Sequence, residues 1–482
     1  MRPFEAPALM ISFPELILAV LAMILLMLAV VGQKENYRLI SRLGVFALIV
    51  IATLLFKSNP ETGTSFGGMF ITDSFAIYMK MLVAIGSAVS LMMAGKSLER
   101  EKIDRVEYPV LILFSTLGMM LMISANDLIS LYVSLELQSF PLYVLAAIQR
   151  DSTRSTEAGL KYFVLGSLSS GLLLYGASLI YGFTGATGFE PIAQALHGQT
   201  AVSLGIVTGM VLMICGMAFK VSAVPFHMWA PDVYEGAPAP VTAFFAIAPK
   251  VAAIALLARV LMGPFGDMIG LWQQVIIAIS IASMVLGGVA AVTQTNIKRL
   301  LAYSSIGHMG YALIGLAAAN RVGIQGIVIY MTLYMLMSIG VFCLVLMMKR
   351  RDKVVEGISD LSGLAKQQPM LALAMSIMMF SMAGIPPLAG FFGKLFIFQA
   401  AVSAGLYTLA VTGVLTSVVA AYYYLRIIKV MYFEDAAAGI DKSEDTGLNL
   451  ILIAASLAVV LFIVLPAPIL NGAAEAALSL VQ

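Results

Sequence analysis

Fourteen apolar runs, separated by short polar loops, divide this chain from end to end. They fall near residues 8–31, 38–57, 72–95, 108–125, 127–149, 155–183, 201–224 with an extension, 240–262, 268–293, 297–319, 322–348, 369–403, 406–431 and 447–470. Roughly 20 apolar residues in a helix cross the hydrocarbon of a bilayer. Inside lipid the backbone must satisfy its own hydrogen bonds, so runs of this length become helices. The expected fold class is an all-α polytopic membrane protein of about fourteen transmembrane helices. The 482 residues read as one integral membrane domain: three N-terminal helices (1–107), two repeats (108–262 and 268–431) and a last helix (447–470).

Composition narrows the chemistry. At 61% hydrophobic and 11% charged, the chain is no ordinary soluble domain. A net charge of +2 predicts no nucleic-acid partner. Cys215 and Cys343 both lie in apolar runs and spell neither a metal motif nor a disulfide framework. His197, His227 and His308 are too scattered for a haem or cluster site, so no redox cofactor and no metal is expected on this chain. The 31 methionines are packing material rather than a copper site. The first run lacks an A-x-A-like cleavage site and is longer than a signal core, so it is expected to be retained.

Orientation follows from the basic residues. Loops after odd-numbered helices hold nineteen: Lys34, Arg38, Arg42, Lys96, Arg100, Lys102, Arg105, Arg150, Arg154, Lys298, Arg299, Lys349, Arg350, Arg351, Lys353, Lys366, Arg426, Lys429 and Lys442. Loops after even-numbered helices hold three, Lys57, Arg259 and Arg321. The positive-inside rule makes the first set cytoplasmic and puts both termini on the other side.

Two runs are too long for one straight crossing. From Ala201 the apolar character continues past Pro225 to Trp229 and Ala230 before meeting Asp232 and Glu235. Proline removes a backbone donor and disrupts a helix. From Pro369 to Ser403 a second long run is interrupted at Pro386 and Pro387. Each run carries one lysine inside it, Lys220 and Lys394. These are the seventh and twelfth helices, five apart. Because five is odd, two copies of a five-helix unit (helices 4–8 and 9–13) must be oppositely oriented, as in transporters built from inverted repeats with broken helices. The register is imperfect: Lys220 precedes its proline by five residues and Lys394 follows Pro387 by seven.

Few charges remain inside the runs. Glu136 lies about ten residues into the fifth, Lys161 in the cytoplasmic half of the sixth, Lys220 at the break of the seventh, Lys250 near the centre of the eighth and Lys394 in the twelfth. A charge at the bilayer centre costs roughly 2.5–3.5 kcal/mol and usually faces the protein interior with a partner. The plainer reading is a structural ion pair or a snorkelling side chain. That reading suits Lys161, near an end, as well as a relay does; it suits Lys220, Lys250 and Lys394 less. Burial draws lysine toward neutrality whereas arginine stays charged, and no arginine is expected deep in a span. Lys80, Glu15 and Glu157 lie toward the ends of their runs and read as interfacial. His308 reads first as a structural residue, although imidazole can relay a proton; for His227, beside the break, structure and relay are evenly matched.

These residues resemble the antiporter-like membrane subunits of bacterial NADH:quinone oxidoreductase, respiratory complex I. The resemblance spans nearly the whole chain and rests on FKVSAVPFHMWAPDVYEGAPAPVTAFFAIAPK, TNIKRLLAYSSIGHMGY and FSMAGIPPLAGFFGKLFIF. It implies two inverted repeats, broken seventh and twelfth helices, and proton translocation in the inner membrane. By motif position it carries the family's relay residues onto Glu136, Lys161, Lys220, Lys250 and Lys394. The chain ends soon after the fourteenth helix, without the lateral helix of the largest sister subunit. Lys394 stands where another sister carries glutamate.

The resemblance also implies partners: other membrane-arm subunits, the sister antiporter-like subunits, the lipid bilayer and protons. Flavin, iron–sulfur clusters and quinone belong on other subunits. Glu136 and Lys220 are expected to pair directly or through one water, with Lys250 continuing the row toward Lys394. The competing readings are a subunit of a cation/proton antiporter complex, which needs no electron donor, and a scaffold that only fills the membrane arm.

Overall fold

The computed structural model describes residues 9–31, 36–58, 62–198, 202–350, 353–435, 439–442 and 445–481. Lys34 and Arg351, counted above among the basic loop residues, lie outside them. The helices are α1 (Phe13–Val31), α2 (Tyr37–Phe56), α3 (Ser74–Arg100), α4 (Glu107–Ile123), α5 (Leu128–Ala146), α6 (Thr153–Thr184), α7 (Phe189–Leu196), α8 (Leu204–Val221), α9 (Trp229–Gly236) and α10 (Ala239–Met262). They continue with α11 (Ile269–Val292), α12 (Ile297–Ala317), α13 (Arg321–Met347), α14 (Leu364–Gln367), α15 (Pro369–Ala383), α16 (Ala389–Ser403), α17 (Tyr407–Phe433), α18 (Thr446–Leu461) and α19 (Ala467–Leu480). Eleven helices among the described residues are long and apolar enough to cross a bilayer; α4, α15, α16 and α18 are shorter apolar helices. Counting α15 with α16 as one broken crossing gives the fourteen expected. The chain is a multi-pass, all-α membrane protein. It also has two small antiparallel hairpins, Gly63–Ser65 with Phe70–Thr72 and Lys349–Arg350 with Lys353–Val354, which periodicity did not signal.

The core runs along α10, α12 and α13, which are buried almost throughout. Around them α1, α2, α6 and α17 turn apolar side chains outward, among them Phe46, Leu168 and Val418. Small residues let helices close in: a Cβ on Gly176 of α6 would stand 2.6 Å from Gly209 O of α8.

Loop contacts sort the two faces. Phe70 bridges Ala125 and Asp127 bridges Gly188, which gathers the loops after the second, fourth and sixth crossings. Asn296 bridges Gly357, and Gly363 N donates to Val430 O, gathering the loop after the ninth with the chain around the eleventh and thirteenth. Arg299 and Arg154 both reach Glu235, at 2.9 and 3.0 Å, which adds the fifth and seventh. Arg38 pairs with Glu99 at 2.6 Å and Tyr108 OH donates to Pro240 O at 3.4 Å, which adds the first and third, so the basic loops share one face.

Four expectations are corrected. Glu15 and Lys80 are not interfacial: their side chains are 3% and 1% exposed and form an ion pair of 2.6 Å. Arg259 is not a loop residue. It lies within α10, 4% exposed, forked onto Asp73 by two bonds of 2.9 Å and donating from Nε to Ile123 O at 2.8 Å. Lys298 is likewise buried, on Glu356 at 2.6 Å and Ala237 O at 2.8 Å. In each case other elements cover the end of the run, so distance from a run's end does not measure exposure. The last run is not one helix over 447–470. Because Pro466 lacks an N–H and disfavours helix at the residue before it, α18 stops at Leu461 and α19 follows. Helix α19 packs on α3, where Phe75 N donates to Ser479 Oγ at 2.9 Å.

The Arg259–Asp73 pair joins α10 to the start of α3. Removing one partner of a buried pair costs about 3–5 kcal/mol, because the other charge is stranded. Arg259→Ala should therefore lower the thermal midpoint and yield of the detergent-extracted complex. Adding Asp73→Asn, which keeps an oxygen for Ala76 N, should recover much of that loss. Equal midpoints for the single and double variants would show that the pair does not hold these helices together.

Candidate functional site

Helix α8 ends where Ser222 takes the left-handed conformation, φ 65°, and Pro225 prevents the helix from resuming until Trp229. The groups freed by this break find protein partners. Val224 N donates to Ser283 Oγ at 2.9 Å, and Trp229 Nε1 donates to Phe219 O at 3.0 Å. Lys250, reaching across from α10, donates to Val221 O at 2.9 Å and to Ser222 Oγ at 2.5 Å, with its ammonium 5.3 Å from the Trp229 ring centroid. Lys220 leaves the other side of α8. It donates to Ser139 Oγ at 2.7 Å and to Tyr143 OH at 3.3 Å, both on α5.

The second break repeats the plan. Helix α15 ends at Gly384, φ 85°, a conformation glycine adopts freely. Pro386 and Pro387 follow, and α16 starts at Ala389. Gly390 N donates to Ser381 Oγ at 3.0 Å. Lys394 of α16 turns back to donate to Met382 O at 3.2 Å, Ala383 O at 3.0 Å and Ser417 Oγ of α17 at 2.8 Å. Its ammonium lies 4.9 Å from the centroid of Tyr311. His308 lines the same small cavity. Its Nδ1 meets Tyr330 OH at 2.6 Å and its Nε2 meets Tyr424 OH at 3.1 Å, and Tyr424 OH is bonded in turn to Ser304 Oγ.

A family described as NADH:quinone oxidoreductase/Mrp antiporter, transmembrane, matches residues 125–420, which hold both breaks. NADH-quinone oxidoreductase subunit N of Rhodospirillum rubrum is 56% identical over 476 residues, 98% of each chain. Subunit N 1 of Rhizobium meliloti is 55% identical over 471 residues, 98% of this chain and 97% of the relative. The chain belongs to the subunit N branch of this antiporter-like family. Among solved structures, a chain of respiratory complex I from Thermus thermophilus with bound aureothin superposes with a TM-score of 0.82 at 30% identity, over 95% of this chain and 98% of that one. A chain of the Mrp complex from Dietzia shares the fold, with a TM-score of 0.83 at 23% identity over 98% of each chain.

Within this antiporter-like subunit the sequence-predicted residues separate into groups. Lys220, Lys250 and Lys394 are 8%, 1% and 5% exposed and stand at the breaks. Lys161 does not join them. It is 42% exposed at the basic face, bonded to Glu157 at 2.7 Å and Asp232 at 2.8 Å. Asp232 and Glu235 also hold Arg299, each at 2.9 Å. Glu136 makes no ion pair within 4.0 Å among the described residues; it lies one turn before Ser139, and its Oε1 is buried without a hydrogen-bond partner there. The expected direct contact with Lys220 is thus replaced by the hydroxyls of Ser139 and Tyr143. His227 is half-buried in the first break, and its Nδ1 also lacks a hydrogen-bond partner among the described residues. Sequence reasoning missed the hydroxyl partners Ser139, Tyr143, Ser222, Ser417, Tyr330 and Tyr424. Their one available signal was position: Ser139 and Tyr143 follow Glu136 by three and seven, the spacing of one helical face.

Tyr143 reaches Lys220 because α6 offers it a glycine. A Cβ on Gly166 would overlap the Tyr143 hydroxyl and ring. Gly166→Ala should therefore lower the amount of assembled complex, and Gly166→Ala with Tyr143→Phe should recover part of it by removing the overlapping oxygen. Native-gel quantification reads this; no recovery in the double variant would mean that the alanine acts elsewhere.

Proposed function

We propose that this chain is a proton-translocating membrane-arm subunit of NADH-quinone oxidoreductase, and that Lys220, Lys250 and Lys394 are its relay. Membership of the complex rests on the full-length likeness to chains named subunit N and on the likeness to a chain of complex I. One observation carries the relay reading. The helices among the described residues contain two kinds of buried cation. Lys80, Arg259 and Lys298 each hold a carboxylate at 2.6–2.9 Å. Lys220, Lys250 and Lys394 hold only hydroxyls and backbone carbonyls. A cation locked to a carboxylate resists losing its proton, since that would strand a buried anion. A lysine held by neutral groups strands nothing, so it can alternate between ammonium and amine at a membrane depth where the charge itself is costly.

Ser139 and Tyr143 beside Lys220, and the Tyr330–His308–Tyr424 chain near Lys394, supply groups that both donate and accept. Each transfer leaves an amine at the donating lysine and an ammonium at the accepting one. Glu136, one turn from Ser139, biases the Lys220 proton through its charge rather than through direct contact. Lys161, with Asp232, marks the entry side. His227, whose Nδ1 has no hydrogen-bond partner among the described residues, is a secondary candidate. Flavin, iron–sulfur clusters and quinone would sit on other subunits, and the sister antiporter-like subunits and lipid would cover the outer helices. The basic face would be cytoplasmic, in a bacterial inner membrane, with both termini on the periplasmic side. The antiporter-complex alternative shares the fold, but the relatives at over half identity along the full chain are named subunit N.

Lys220→Ala should sharply reduce quinone-dependent NADH oxidation and proton uptake per assembled complex while leaving assembly largely intact, since alanine removes a charge that the membrane disfavours. Combining it with Glu136→Gln should not restore proton transfer, because no titratable group remains at that position. Near-normal rates in Lys220→Ala would end the relay role. Full recovery in the double variant would favour the scaffold.

A further inference from the structure

A cavity of about 420 Å³ lies between α4, α5 and α6 at the basic face, apart from the two breaks. That is within the size range of small-molecule sites. Its wall is apolar, formed in part by Leu111, Val144 and Phe163, and its mouth carries Arg105 and Arg150 against a single carboxylate, Glu107. Arg105 comes from the loop after the third crossing and Arg150 from the loop after the fifth. Both therefore lie at headgroup level, with the apolar wall extending below them. Arg105 Nε is buried and has no hydrogen-bond partner among the described residues, so the site holds a guanidinium donor in need of an acceptor. Its lining also includes Tyr143, one of the two residues that accept from Lys220.

We propose that this cavity binds one anionic glycerophospholipid of the leaflet on the basic side. Its phosphate sits between Arg105 and Arg150, and an acyl chain lies along Val144 and Phe163. Charge selects this occupant: two guanidiniums face one carboxylate, and guanidinium matches phosphate in a bidentate fork. Shape agrees, since Val144 and Phe163 are 54% and 46% exposed, an open apolar slot below a cationic rim. A helix of a neighbouring subunit would have to bring a carboxylate to the rim as well as apolar side chains to the slot, whereas an anionic lipid carries both in one molecule. The bound chain closes the outer side of Tyr143 and separates it from exchanging bulk lipid. The site is independent of the relay reading.

The test uses the purified whole complex in nanodiscs. Trace phosphatidylglycerol or phosphatidylcholine, each with a photoactivatable group on the acyl chain, is crosslinked and the modified peptides are mapped by mass spectrometry. Each basic residue near a membrane surface contributes enough attraction that two should favour the anionic probe by about tenfold or more. That preference is expected on the peptides holding Val144 and Phe163 and not on the outward face of α17. Arg105→Gln with Arg150→Gln should abolish the preference, and Val144→Trp should reduce labelling by both probes by filling the slot. Equal labelling by the two probes in the unmodified complex would overturn the proposal, and so would crosslinks from this slot to another subunit in place of lipid. Both of those outcomes are read without any variant.

Discussion

A carbonyl freed from a helix inside a bilayer has only the protein to bond to. This chain breaks two of its crossings, and each break is closed by a lysine. Leaving one buried carbonyl unmet costs about 1–3 kcal/mol, and holding one lysine near the bilayer centre costs about 2.5–3.5 kcal/mol. The two costs are similar in size and opposite in polarity. Lys250 on Val221 O and Lys394 on Met382 O and Ala383 O reduce both at once. Break and lysine stabilise each other, and the surrounding packing follows: α10 must be buried along its length to present Lys250, and α16 must turn back onto α15 to present Lys394.

The same reasoning separates the subunit's buried charges. At the face away from the basic loops, Asp73 with Arg259 holds the start of α3 to α10, and Glu15 with Lys80 holds α1 to α3. These pairs are staples, since each charge fixes the other. At the basic face, Lys161, Asp232, Arg299, Glu235 and Arg154 form a half-exposed network between α6, α9 and α12, where water screens every pair. Between the faces the cations have no carboxylate partner among the described residues. Fixed pairs at the ends hold the frame in which unpaired lysines can change state.

The apolar runs, their alternation across two faces, and both breaks were legible in the sequence, because hydrophobic length and proline are local signals. So were Lys220, Lys250 and Lys394: one charge inside a long apolar run stands out without any knowledge of the fold. What depends on covering was not legible. Glu15, Lys80, Arg259 and Lys298 sit near the ends of runs, and only the packing of α3, α10 and the loops shows that those ends are enclosed. The hydroxyl partners were hidden for another reason: serine and tyrosine are common in membrane helices, and nothing in the chain marks the one that faces a lysine. Direct contact between Glu136 and Lys220 is not made for the same reason, since Ser139 and Tyr143 on the same helix reach the ammonium instead.

The lysines at the breaks can also be compared by what they bond. Lys394 and Lys250 come from different crossings of the repeat, yet each closes the carbonyl end of a first half-helix, one from α16 and one from α10. They differ in valence. An ammonium has three donors. Lys394 uses all three, on Met382 O, Ala383 O and Ser417 Oγ, whereas Lys250 uses two, on Val221 O and Ser222 Oγ. A neutral amine keeps two N–H groups. Lys250 can therefore lose its proton and still hold both partners, with the first break unchanged. Lys394 keeps two N–H groups for Met382 O and Ala383 O, and Ser417 must then reverse and donate its hydroxyl to the amine. Proton loss is thus tied to the turn of one hydroxyl at the second break and not at the first, although the two share one plan.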